Sequence, residues 1–311
     1  MILLTNLGKI FLRWLGLFWA VSVVAFLLPR LMPDYPVHYY LQQYQLPVTP
    51  ENIQIVEEQW GLNRSLFVQY GHWLGRFIQG DWGRAYMTGL DVRTELFRRL
   101  PYSLLMACGG LLLGGLWAYV LGFLAVLQEN GFWGKVSRVH TLLASTFPSL
   151  ISGVLLIYLL SNRWKLLSFY GEHKLPGILI SSLLIAFYQS GHLTRIVIRH
   201  LEEVKAQAYI QTMQTRGFSL KTVLWKYGYH YTMYGLLSAM LPQFSWVIGG
   251  TSILEYTFAI PGISAFLIDS ISHRDYVVIQ GYLMLTIAWM FGMHVIVEGL
   301  LVSLQQEEAA L

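Results

Sequence analysis

Charge is what this sequence has least of. Of its 311 residues 12% are charged and 55% are apolar, and the mean hydropathy is +0.49. Soluble domains carry about 25% charge, so an ordinary soluble globular protein, a disordered chain and a coiled coil are all excluded. Cysteine is almost missing. The single Cys108 rules out an internal disulfide framework and any cysteine-rich metal or iron–sulfur site. Set in an apolar run, it reads as a small buried hydrophobe. The net charge of +4 is weak and dispersed, which excludes a nucleic-acid footprint. The nine histidines are scattered, without metal-type spacing. Aromatic residues, in contrast, reach 15%, with 11 Trp and 19 Tyr, as suits a protein with long membrane–water interfaces.

The apolar residues are gathered in runs. A bilayer core needs about 20 of them per helix, and six runs qualify: residues 10–29, 101–127 (beginning after Pro101), 139–160, 176–191, 233–254 and 277–302. The expected fold is therefore an all-α integral membrane protein with six transmembrane helices and a small helical extracytoplasmic insertion between the first two. The chain divides into an N-terminal helix (1–30), the insertion (31–100), a membrane core (101–302) with a cytoplasmic loop at about 192–232, and a tail (303–311). Lys9 and Arg13, at the start of the first run, would be the basic region of a signal peptide. No small-x-small cleavage pattern follows Leu27-Leu28-Pro29-Arg30, so this run is expected to span uncleaved. With both termini in the cytoplasm, ten Lys and Arg fall inside and four in the short outer loops, Arg163, Lys165, Lys174 and Arg274.

Two polar segments stand out. In the insertion, Thr49-Pro50-Glu51 has a capping hydroxyl, a proline at the first helical position and an acid at the positive end of the dipole. Gly61 closes that helix. Leu66, Phe67, Tyr70, Trp73, Leu74 and Phe77 follow at helical spacing until Gly80-Asp81-Trp82-Gly83 breaks the run. In the loop, Tyr209, Met213 and Gln214 share one side of a short helix, and Gly217 lies where that helix should end. Such a helix is either a lever that transmits motion from a partner to the adjoining spans or an ordinary interfacial helix.

Polar groups inside spans are costly and mark candidate function. Ser145, Thr146 and Ser149 surround Phe147-Pro148, where a kink is expected. Gln243, Trp246, Thr251 and Ser252 surround Gly249-Gly250, which permits a bend or close packing. Glu255 is expected at the outer end of the fifth span, within reach of water. Each of these groups is either a contact along a translocation path or glue between helices. His294 and Glu298 lie four apart on one helix face, but two residues do not make a metal site.

In their order, these landmarks resemble a known family. Tyr209-Ile210 with Arg216-Gly217-Phe218-Ser219 resembles the coupling loop of permease subunits in ATP-binding-cassette importers, and more narrowly the dipeptide/oligopeptide/nickel permease family of type I fold. Gly61-Leu62, Gln69-Tyr70, Trp73-Leu74, Gly80-Asp81-Trp82-Gly83, Thr88-Gly89 and Leu100-Pro101 follow colinearly. So do Glu255-Tyr256-Thr257-Phe258-Ala259-Ile260-Pro261-Gly262, Arg274-Asp275-Tyr276 and Gln280-Gly281. The match runs from about residue 7 to 300. The departures are Ala208 in place of an acid, His230-Tyr231 in place of Arg-Asn, Gly235 in place of proline, a short loop at 167–174, and a missing Asp-Pro-Arg tail.

The resemblance implies a non-catalytic permease in a bacterial cytoplasmic (inner) membrane, forming half of the path for peptides or for nickel or metal chelates. It implies a homologous second permease, two cytoplasmic ATP-binding subunits that hold ATP and Mg, and an extracytoplasmic solute-binding protein. This chain would hold no cofactor and no metal. Its Gly134-Lys135 pair lacks the P-loop pattern. Tyr209, Met213, Arg216, Gly217 and Phe218 would face the ATPase. Ser145, Ser149, Gln243, Trp246, Thr251, Ser252 and Glu255 would line the path. Two competing classes are a stand-alone secondary transporter, which predicts an internal repeat, and an integral membrane enzyme, which predicts an acid–base or metal constellation. The sequence displays neither feature.

Overall fold

The computed structural model describes residues 16–33, 35–169 and 174–310. About 80% of it is helical, and no β-sheet occurs among the described residues. Two compact units emerge, one built from residues up to Pro101 together with Gly262–Trp289, the other from Tyr102–Pro261 together with Met290–Leu311.

In the first unit, α1 (Gly16–Leu31) ends in a 3-10 turn at Leu28–Leu31. The expected span at 10–29 is helical from residue 16, and its first residues lie outside the described ones. Three short helices follow, α2 (Pro36–Gln43), α3 (Pro50–Trp60) and α4 (Leu66–Ile78). α3 starts as its sequence dictates: the Asn52 N–H donates to Thr49 Oγ1 at 3.3 Å and Pro50 opens the first turn. It stops at Gly61, whose φ of +68° only glycine adopts without strain. Val37, Leu41 and Val56 form the small core beneath these helices. Arg84 and Asp91 then form an isolated antiparallel bridge around the turn at Thr88-Gly89.

Pro101 was expected to precede the second span, but it lies inside a 36-residue helix, α5 (Val92–Leu127). Asp91 starts that helix by accepting the Thr94 N–H at 2.8 Å, so the boundary is set nine residues earlier by a side-chain cap. The adjacent Arg98 and Arg99 both pair with the buried Glu95, at 2.7 and 3.3 Å. The unit also contains α14 (Ile263–Ser272) and the start of α15 (Tyr276–Ala310).

The second unit is a helical bundle. α6 (Phe132–Thr146) and α7 (Ser149–Ile157) are separated at Phe147-Pro148, and α7 continues as a π-helix over Tyr158–Arg163. The bend between the two arms is 98°. Proline disfavours helical backbone in the residue before it, and Phe147 is accordingly extended at ψ 127°. α8 (Leu175–Lys205) is twice as long as the run expected at 176–191, because its helix continues through the charged residues Arg195–Lys205. The segment 192–205 is therefore helix and not loop. α9 (Ala208–Thr215), α10 (Leu220–Tyr227) and α11 (Tyr229–Met240) follow.

The run expected to span at 233–254, with a bend or close packing at Gly249-Gly250, is broken outright. After α11 come a 3-10 stretch (Leu241–Trp246), a short α12 (Val247–Gly250) and α13 (Ser252–Thr257). Ile248 is extended at ψ 119° and Gly249 has φ +100°, a conformation that glycine permits. Leu193, Val197 and Leu201 of α8 pack with Tyr119 and Phe123 of α5 and with Leu236 and Met240 of α11.

Among the described residues, α5 and Tyr276–Leu300 of α15 are long and apolar enough to cross a membrane, and up to four spans result if each of two bent pairs counts as one. Leu105, Leu112 and Leu116 on α5 are each more than 60% exposed, an apolar stripe suited to lipid. Cys108 is half-buried against Ala107, Leu111 and Val247 rather than enclosed.

Candidate functional site

The break in α12 opens a cavity of about 360 Å³ within the second unit. α7 supplies Ser149, α8 supplies Tyr188 and Gln189, and the interrupted 241–254 run supplies Gln243, Trp246 and Thr251. Broken helices tolerate free backbone groups at membrane depth only where these line a cavity or are buried in protein. Gly250, beside the left-handed Gly249, reaches the wall. No Asp, Glu, Lys, Arg or His contributes to the lining. The lining is largely apolar, set with a few polar side chains and no charge.

Four residues singled out in the sequence, Ser149, Gln243, Trp246 and Thr251, are thus brought together. Ser145 and Ser252 are not among the lining residues. Ser145 is exposed, and its hydroxyl donates back to the Thr141 and Leu142 carbonyls at 2.9 and 3.0 Å. Tyr188 and Gln189 went unread although a Tyr-Gln-Ser triplet interrupts an apolar run. The Tyr188 hydroxyl lies 2.6 Å from Ser152 Oγ and braces α7 against α8.

Glu255 corrects an expectation. It is not at a wet helix end but fully buried, and it accepts the Thr251 hydroxyl at 2.6 Å. It stands behind the cavity wall. His294 and Glu298 approach at 3.8 Å with both side chains largely exposed, and no cluster of three metal-ligating side chains occurs among the described residues.

The second candidate element is α9. Ile210 is fully buried, and Met213 packs partly against the same core. Tyr209 (46% exposed) and Phe218 (50%) point away from that core. Of the three residues expected on one face, Met213 packs against the core while Tyr209 and Gln214 are exposed. The helix ends in a Schellman motif: the Gly217 N–H donates to the Gln214 carbonyl at 3.0 Å and the Phe218 N–H to the Met213 carbonyl at 3.2 Å. Gly217 has φ +90°, and a side chain there would meet nothing within 4 Å. Glycine is therefore needed for backbone conformation and not for space. Arg216 is exposed and forms no ion pair among the described residues. Ser219 caps α10 by accepting the Thr222 N–H at 3.2 Å.

Broken helices that line a cavity are a recurring feature of proteins that pass solutes through a bilayer, and the class is accordingly a membrane transport component. Residues 110–307 match the family model described as "binding-protein-dependent transport system inner membrane component". The chain belongs to that family, the permease subunits of ATP-binding-cassette importers of the dipeptide/oligopeptide/nickel type, whose members are non-catalytic. It is similar to a glutathione transport system permease protein of Shigella boydii, with 27% identity over 90% of this chain and 91% of the relative. It is also similar to a nickel import system permease protein of Staphylococcus aureus, with 29% identity over 84% of this chain and 78% of the relative.

Proposed function

We propose that this chain forms half of the translocation path of an ATP-driven importer in a bacterial cytoplasmic membrane, crossing it six times with both termini inside. The other half is a homologous permease, two cytoplasmic ATP-binding subunits supply ATP and Mg, and an extracytoplasmic solute-binding protein delivers cargo. One observation carries this reading: α9 is tied inward through Ile210 and Met213 while Tyr209, Arg216 and Phe218 stay open to a partner. A push on α9 reaches α8, α10 and α11 through the core they share. Closure of the ATPases then switches the path between inward-open and outward-open states. Ser149, Gln243, Trp246 and Thr251, with Ser145, Ser252 and Glu255 in support, are assigned to the path.

The uncharged cavity bears on cargo. A bare nickel ion finds no imidazole, thiolate or carboxylate among the lining residues. This supports a peptide or an already chelated metal. Two tests separate the parts of the proposal. Cysteines at positions 209 and 216 should cross-link to a co-expressed ATP-binding subunit in intact membranes, and absence of any such adduct in an active assembly overturns the coupling role. Uptake of labelled nickel by a deletion strain, with and without chelator and alongside labelled peptides, assigns the cargo. Uptake of the free ion alone contradicts the cavity argument.

A further inference from the structure

The first unit holds a second and larger cavity, about 610 Å³, that shares no residue with the path. Its size falls within the roughly 300–1,000 Å³ typical of small-molecule sites. Four arginines line it, Arg30, Arg64, Arg76 and Arg84, against two acids, Glu58 and Asp81. Asp81 is already matched to Arg76 at 2.7 Å, and that pairing, with the Gly83 N–H, holds its carboxyl below the usual range. Positive charge is left over. Arg30 uses only some of its N–H groups, donating to the Phe26 carbonyl at 2.6 Å and to Gln69 Oε1 at 2.8 Å.

Two neutral donors sharpen the case. Gln280 is 97% buried and its Nε2 has no hydrogen-bond partner; Trp73 Nε1 is likewise buried without one. Both residues line this cavity. Leaving a buried donor unsatisfied costs about 1–3 kcal/mol, and such groups are rare enough in native proteins to call for an explanation. Trp60, Trp82 and Tyr86 add aromatic surface to the lining, beside His72 and small or apolar residues; Trp60 stacks on Tyr86 at 3.9 Å and 6°, and Trp82 is backed by Phe77 at 4.9 Å.

We infer that this cavity is a binding site for a small organic carboxylate with a flat or apolar body, the carboxylate answering the surplus arginine charge and drawing toward it the enclosed, unpaired Gln280 and Trp73 donors, the body lying against the aromatic residues of the lining. The site stands independently of the transport assignment, because all its residues belong to one unit and none is assigned to the path or to α9.

The test uses the full-length chain in lipid nanodiscs and equilibrium dialysis of labelled hippurate, an aromatic amide with one carboxylate. Hippuramide, its uncharged analogue, and inorganic phosphate serve as competitors. Hippurate should bind saturably at a single site, and hippuramide should compete at least about tenfold more weakly, as loss of a charge-assisted hydrogen bond requires. Gln280→Leu should weaken hippurate by about tenfold. Arg64→Gln, at an exposed rim position, should weaken it severalfold and decides the matter if Gln280→Leu fails to fold. Non-saturable uptake, equal competition by hippuramide or by phosphate, or unchanged affinity in a folded Gln280→Leu or Arg64→Gln variant overturns the assignment.

Discussion

The Thr251 hydroxyl donates to Glu255 Oε1 across 2.6 Å, and neither residue is more than 3% exposed. The pair ties the lining of the path cavity to the first turns of α13, just beyond the break at Ile248-Gly249. Thr251→Val keeps the shape and removes the donor. A hydrogen bond contributes about 0.5–1.5 kcal/mol net, so this variant should melt a few degrees lower in detergent. Glu255→Gln keeps an acceptor oxygen and should lose less. Equal melting of Thr251→Val and the parent protein would show that the bond carries no stability.

Gly217 permits a separation of coupling from folding. Its φ of +90° suits glycine, while the space around it is open. Gly217→Val should cost about 1–2 kcal/mol of local backbone strain. Because that strain falls on the Schellman turn between Arg216 and Phe218, transport should fall more than assembly of the purified complex. Gly217→Asn, which tolerates the left-handed region, should retain most transport. A valine variant with unimpaired uptake would remove the turn from the mechanism.

Much of this was legible in the sequence, for physical reasons that differ by element. Caps are local, so Thr49, Gly61 and Gly217 announced their helix ends correctly. Pro101 misled because a proline usually marks a helix boundary, whereas Asp91 caps α5 upstream and the helix runs through Pro101 at its tenth residue, forgoing one backbone hydrogen bond there. The break around Gly249 was expected only as a bend, since its depth depends on the backbone finding a cavity to line. Tyr188 and Gln189 entered the site through the facing of α8 toward α7 and α12, which no spacing rule reveals. The unpaired donors of Trp73 and Gln280 became visible only once two residues far apart in the sequence were brought to one cavity.

The first unit should respond to mild acid. Asp275 accepts N–H bonds from Met87 and Val278, both at 3.3 Å. Burial outweighs these bonds and raises its carboxyl from 3.8 to about 6. His273 and Asp269 line the same small cavity, and Tyr86 also feels the Asp275 charge. The folded state holds this proton more tightly than the unfolded chain does. Asp275 therefore lowers stability as pH rises from about 4 to about 6, by about 3 kcal/mol in all, with no further change above. Asp81 and Asp91, held below the usual range by Arg76 and by Thr94 respectively, act oppositely and only at lower pH. Melting curves between pH 4.5 and 7.5 should show the parent protein losing stability relative to Asp275→Asn as pH rises. Parallel curves for the two proteins would refute the burial argument.

Close helix approach in the second unit rests on Gly110 and Gly114 of α5, spaced so that both face α8. A Cβ on Gly114 would lie 3.1 Å from the Ala186 carbonyl oxygen and 3.2 Å from its Cα. These are backbone atoms, so no rotamer change relieves the contact and the helices themselves must part. In lipid, where apolar burial gives helices little reason to associate, such small-residue packing is the main source of cohesion. Gly114→Leu should therefore destabilise by about 1–3 kcal/mol or more and release the core shared by α5, α8 and α11. Gly292→Leu makes the control, because a side chain there meets nothing within 4 Å and leucine also favours a helix. Thermal unfolding of the two variants side by side should separate them clearly. Equal melting points would mean that α5 and α8 are held together by something other than their glycine contact.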